Sequence, residues 1–213
     1  MKLLSYLLAA TLAGVSVGAS QASANLLANP SFEAPITFDG APFVGSWEGF
    51  TGGGATAANG SSSPHSGTME ADLGITGINS FAGVFQDVPV TGGETVTYSG
   101  FHKAATSPLN IGTEIRIEWR DATSEVGRTA NLTPVATASY TPFTLVANAP
   151  PTAIFARVVY DIQSFSTAPL GSGAVFADDF SVTVPEPASI CLLGLGMSGL
   201  IGFARIHRRA SSC

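Results

Sequence analysis

The sequence predicts an all-β fold, a two-sheet antiparallel β-sandwich, and three observations carry that prediction. Apolar residues recur with a period of two over several segments, which places them on one face of a half-buried strand. Turn signals such as Thr91-Gly92-Gly93 and Ala149-Pro150-Pro151 separate these runs, in a chain of 213 residues that holds 24 Gly and 13 Pro. No amphipathic helix pattern of useful length interrupts residues 25–184.

Taken in order, strands are expected over residues 25–33 and 54–58. Next, Met69, Ala71 and Leu73 alternate with Thr68, Glu70 and Asp72. Two further strands fall at 81–90 and 94–103. Ile111, Thr113, Ile115, Ile117 and Trp119 then alternate with Gly112, Glu114, Arg116, Glu118 and Arg120. A strand at 140–147 follows. Ile154, Ala156, Val158 and Tyr160 alternate with Phe155, Arg157, Val159 and Asp161, and Phe176, Phe180 and Val182 alternate with Ala177, Asp179 and Ser181. Eight or nine short strands at this spacing fit a sandwich.

The two ends read differently. Residues 1–24 place Lys2 before an apolar stretch from Leu3 to Val17 and end on Ala22-Ser23-Ala24. That is the pattern of a secretory signal helix cut by signal peptidase after Ala24, the alternative being a retained membrane helix. At the other end, Val184-Pro185-Glu186-Pro187 breaks the chain, since proline fixes φ and removes a donor. Ala188 to Ala204 then carries no charge, and Arg205, His207, Arg208 and Arg209 follow. Residues 188–204 are just long enough to cross a thin bilayer, with the arginines on the cytoplasmic side.

These ends absorb much of the apolar excess of a chain with only 11% charged residues. Residues 25–184 hold 14 acids against 5 bases, a net charge of −9 beside −6 for the whole chain. Nucleic acid is a poor partner for such a domain, because phosphate binding needs clustered Lys and Arg. Both cysteines, Cys191 and Cys213, lie outside 25–184, so this domain is stable without disulfides, and its length allows a sufficient core.

Pro185-Glu186-Pro187, a short apolar helix and a terminal arginine cluster, in that order, resemble the PEP-CTERM sorting signal. The resemblance covers 185–213 and implies export, recognition by an exosortase, and a transient inner-membrane anchor released to the cell surface or the extracellular space. Such proteins accompany exopolysaccharide and biofilm production; a plain membrane anchor is the alternative. Residues 25–184 resemble the galactose-binding-like jelly roll of carbohydrate-binding modules. The opening Asn25-Leu26-Leu27, Ser31-Phe32-Glu33 and the closing Ala177-Asp178-Asp179-Phe180-Ser181-Val182 carry most of that likeness. It implies a structural calcium shared by Glu33 and Asp178, with Ser31 adding its carbonyl, and a sugar site on one face or edge.

Read from the residues, Asp178 shares parity with Phe180 and Val182 and points inward, while Asp179 points to solvent. A buried carboxylate needs a partner, and calcium, backbone amides or a salt bridge each supply one. Glu114, Arg116, Glu118 and Arg120 line one face of a strand. Arg116 and Glu118 form a polar sugar cleft there, with Phe101 or His102 of the neighbouring strand as the stacking group, or else a solvated face with cross-strand ion pairs. Trp47 reads either as a loop platform or as a residue closing the sandwich. Residues 25–184 contain no H-E-x-x-H, G-x-S-x-G or phosphate loop. The function expected is therefore a non-catalytic, exported sandwich that binds polysaccharide. A structural or adhesive biofilm protein without a sugar site is the alternative, followed by a glycan hydrolase using Glu114 and Glu118.

Overall fold

The computed structural model describes residues 24–106, 109–165 and 171–185. The signal helix expected over 1–24 and the membrane helix expected over 188–204 lie outside them, apart from Ala24, as do Glu186 and Pro187. Among the described residues no helix is long and apolar enough to cross a membrane. Ala24–Pro185 form one compact unit that contains all the strands described here and their common core, which makes it a self-contained folding unit.

Among the described residues eleven strands run in chain order: β1 (Ile36–Thr37), β2 (Trp47–Gly52), β3 (Ala55–Gly60), β4 (Glu70–Ile75), β5 (Phe81–Pro89) and β6 (Thr95–Ala104), then β7 (Gly112–Arg120), β8 (Glu125–Arg128), β9 (Thr141–Asn148), β10 (Phe155–Gln163) and β11 (Gly173–Thr183). They form a six-stranded sheet ordered β1-β2-β5-β10-β7-β8 and a five-stranded sheet ordered β3-β4-β11-β6-β9. All pairings are antiparallel except the short parallel contact of β1 with β2. Apart from the pairs β1–β2, β3–β4 and β7–β8, strands adjacent in sequence stand on opposite sheets. The all-β sandwich expected from the alternation is the observed fold.

Three local expectations fail. Residues 25–33 form no regular strand, because Asn29 and Phe32 take left-handed φ values of 51° and 56° that a strand excludes. The segment still occupies the side of β11 that β4 leaves after Ala177. There Leu26 N donates to Val182 O at 2.8 Å and Phe180 N to Pro30 O at 2.9 Å. Second, Phe176 does not share a face with Phe180. A register shift between Asp178 and Ser181, with Asp179 at φ 51°, flips the parity of β11. Third, Ile154 precedes β10 and is exposed.

The core is aromatic at its centre. Phe180 touches Phe32, Trp47, Tyr98, Phe143 and Tyr160, with ring centroids 5.1–5.7 Å away. All six rings are buried, and burial of each stabilises the fold by about 1.5–3 kcal/mol. Trp47 therefore closes the sandwich rather than offering a platform. Its Nε1 donates to Asn29 O at 2.8 Å. Gly100 faces this cluster on β6, where an added Cβ would run into the rings of Phe180 and Phe143. Gly100→Val should therefore cost about 1–3 kcal/mol through overpacking, read as a lower urea midpoint of residues 24–185; an unchanged midpoint would contradict this packing.

Candidate functional site

Antiparallel register lays the outer face of the six-stranded sheet out in rows. One row runs Glu48, Phe85, Val159, Arg116; the next runs Phe50, Gly83, Asp161, Glu114. On the other side of the first lies Asp87, Arg157, Glu118. The inward partners on these strands are core residues such as Val84, Ile115, Ile117, Val158 and Tyr160. β5 is thus apolar on both faces, with Phe81 and Phe85 turned outward and Gly83 between them.

Gly83 makes room on this face. A Cβ there would meet the ring of Phe50 and the Cβ of Asp161, so Phe50 lies across the strand. Its ring centroid is 6.2 Å from both Phe81 and Phe85. Arg157 continues the aromatic strip. Its guanidinium sits 4.0 Å from the Phe85 centroid and 5.0 Å from that of Phe43. Asp87 holds it flat by accepting two hydrogen bonds, at 2.7 and 2.8 Å. Two clefts open at the ends of this strip. One, of about 310 Å³, lies between Phe43, Glu48, Phe85 and Phe155; the other, of about 320 Å³, lies between Phe50, Phe81, Arg116, Asp161 and Gln163.

The sequence-predicted ligand residues divide. Arg116 and Glu118 belong to this face. Arg116 donates from Nε to Glu118 at 2.9 Å and from Nη1 to Asp161 at 2.7 Å. The cross-strand ion pairs expected as the alternative exist, but they are largely shielded from solvent: the side chains of Arg116 and Glu118 are 14% and 10% exposed. Burial pushes the Asp161 carboxyl up to about 6, against the opposing pull of Arg116.

Phe101 and His102 do not join them. They lie on β6, in the five-stranded sheet, and β6 is no neighbour of β7. His102 points into the core, where its Nδ1 lies 2.8 Å from the Tyr160 hydroxyl. Burial lowers its pKa to about 4. Phe101 faces outward on that second sheet and stacks on His65, with centroids 4.0 Å apart. His65 in turn meets Tyr140, and its Nδ1 lies 2.6 Å from Asp179. Asp179 also accepts from the Ser66 hydroxyl, so it is engaged rather than free in solvent.

The carboxylates assigned to calcium both bind the loop of residues 65–69. Asp178 Oδ2 accepts from the amides of His65 and Ser66 at 2.7 and 3.0 Å, and Oδ1 from the amide of Asp179. Glu33 accepts from the Thr68 hydroxyl and from the amides of Thr68 and Met69. The Thr68 hydroxyl, followed by those amides, lowers the Glu33 pKa. Burial raises that of Asp178 against the pull of its amides. Ser31 sits in the turn between Asn29 and Phe32, which closes through Phe32 N donating to Asn29 O. Among the described residues no group of three or more His, Cys, Asp or Glu is placed to hold a metal ion. N–H donors face the oxygens that a cation needs, so this donor set does not fit calcium as arranged.

Residues 183–209 match the family model described as the PEP-CTERM protein-sorting motif, so the chain carries that sorting address. No curated protein matches the chain in sequence. Solved structures with the same fold include carbohydrate-binding modules. The CBM22-1 xylan-binding domain of Xyn10C from Paenibacillus barcinonensis superposes with a TM-score of 0.55 at 17% identity, over 80% of this chain and 100% of that one. TmCBM61, solved with β-1,4-galactotriose, gives 0.51 at 14% identity, over 76% and 100%. The enzymatically active domain of tailspike protein 4 of bacteriophage CBA120 gives 0.58 at 16% identity, over 76% of this chain but only 21% of the tailspike chain. At these identities the likeness is one of fold, the jelly-roll sandwich.

Sequence reasoning missed Phe43, Phe50, Phe81, Phe85 and Arg157. One signal was present: Phe81-Ala82-Gly83-Val84-Phe85 carries apolar residues on both parities, which a strand with one solvated face does not need.

Two measurements check these assignments. His102 protonates near 6.5 when unfolded and near 4 when folded, so its contribution is full above 6.5 and is lost as pH falls toward 4. Wild type should lose about 3 kcal/mol relative to His102→Gln between those pH values; parallel stability profiles would place His102 outside the core. The thermal midpoint of residues 24–185 should be the same in calcium and in chelator, and a rise of several degrees with calcium would restore the metal on Glu33 and Asp178.

Proposed function

We propose that residues 24–185 form an exported, non-catalytic polysaccharide-binding module whose site is the outer face of the six-stranded sheet. The observation that carries this reading is the aromatic strip of Phe50, Phe85 and Phe43, with Arg157 clamped flat between the last two. Planar rings suit the apolar C–H faces of sugars, and pre-oriented charged groups beside them suit hydroxyls. The fold shared with a xylan-binding domain and with a module solved with β-1,4-galactotriose supports the same class of ligand.

In this reading the chain enters the secretory route through residues 1–24, is cut by signal peptidase after Ala24, and is held in the inner membrane by 188–204. An exosortase then acts at Pro185-Glu186-Pro187 and releases the module to the cell surface, where exopolysaccharide of a biofilm is its partner. The sorting motif supports that route. Arg116 donates to both Glu118 and Asp161, and such pre-oriented charged pairs beside aromatic rings support a binding role.

Affinity electrophoresis of residues 24–185 through gels holding neutral, acidic or amino-sugar polysaccharides tests the reading. At least one should retard the protein, and Phe85→Ala or Arg157→Ala should weaken that binding about tenfold. Equal mobility in every gel would reject the module, leaving a structural or adhesive role.

A further inference from the structure

Resting on that reading, we infer that the cleft between Phe50, Phe81 and Asp161 takes a sugar bearing an ammonium group, so that the preferred polymer contains unacetylated amino sugar. Among the described residues Oδ1 of Asp161 has no hydrogen-bond partner, although the side chain is only 9% exposed. Its other oxygen accepts from Arg116. A buried carboxylate oxygen without a donor is costly, and Asp161 lines the cleft, so a donor entering there removes that cost. Phe50 lies across Gly83 beside Asp161, so admitting that donor requires this ring to give way.

Charge decides which donor. Glu114, Glu118 and Asp161 surround Arg116, within 3.9, 2.9 and 2.7 Å. Arg128 also lines the cleft, but Glu125 already accepts from it twice, at 2.6 and 2.7 Å. The cleft and its paired groups thus present four carboxylates against two guanidinium groups, and both guanidinium groups are engaged. Arg157, on the neighbouring strip, is likewise taken by Asp87. An acidic sugar finds repulsion here, and among the described residues lining the cleft no cation is free to bind its carboxylate; Arg120, further along the same strand face, does not line it. A neutral sugar supplies a hydroxyl to Asp161 but leaves the excess charge unbalanced. An ammonium supplies donor and charge together. Gln163, whose amide donates to Glu114, and Asn131, whose amide does the same at 2.8 Å, hold the rim carboxylate in place for it.

The test is calorimetric titration of residues 24–185 with three oligosaccharides of equal length: β-1,4-linked glucosamine, its N-acetylated counterpart and a β-1,4-glucan. It is run at low salt and just above pH 6, where Asp161 is largely ionised while part of the sugar amine still carries its proton. The glucosamine oligomer should bind at least tenfold more tightly than either of the others. Asp161→Asn should remove most of that preference by weakening the glucosamine oligomer far more than the glucan. Glu114→Gln, at the more exposed rim, should reduce it in the same direction and covers the case in which the buried variant fails to fold. Equal or tighter binding of the neutral oligomers, or a preference that survives in Glu114→Gln and a folded Asp161→Asn, overturns the inference while the polysaccharide-binding reading stands. Binding of none of these oligomers, together with equal mobility in every gel, removes that reading and the inference with it.

Discussion

Phe180 is the contact on which the sandwich depends. Its ring meets aromatic side chains from the N-terminal segment, β2, β6, β9 and β10, so both sheets and the chain's opening residues meet at one point. Without disulfides in this unit, dispersion and burial around that ring hold the two layers in register. The shift in β11 just before it follows from the same need. The strand has to turn Phe180 inward after Ala177 has already pointed inward. Asp179 absorbs the extra residue at a positive φ that costs a non-glycine residue of order 1 kcal/mol.

That shift has a chemical consequence. It leaves Asp178 buried beneath the loop of residues 65–69, where the loop amides answer its charge. It also presents Asp179 on the outside to His65 and Ser66. The N-terminal Glu33 grips the same loop from its other end. Two acids from opposite ends of the unit thus fix one loop, through its backbone amides and the Thr68 hydroxyl.

Much of the fold was legible because alternation is a local signal. β4 through β7, β9 and β10 all sit within a few residues of the segments that period two marks. What was not legible depended on partners distant in sequence. The stretch 25–33 has the hydrogen bonds of a strand neighbour but not its dihedral angles, and the parity of Phe176 is reversed by a bulge. Of the site, Arg116 and Glu118 were found because they share a face of one strand. Phe101 and His102 were paired with them on the assumption that consecutive strands are neighbours, and the crossing between sheets after β6 breaks that assumption. The aromatic strip needed the register of three strands, β2, β5 and β10, with Phe43 from the loop before β2, and no spacing along the chain encodes that.

On the outer face of the six-stranded sheet Gly83 clears space, Phe50 fills it, and Arg157 is held flat against two rings. The opposite sheet carries its own small stack, His65 on Phe101 beside Tyr140, and the two faces make distinct claims on a ligand. Backbone amide NMR shifts of residues 24–185, followed during titration with a bound oligosaccharide, decide between them. The account predicts that the largest shifts fall on Phe50, Phe85, Arg116, Arg157 and Asp161. Shifts centred on His65, Phe101 and Tyr140 would contradict it.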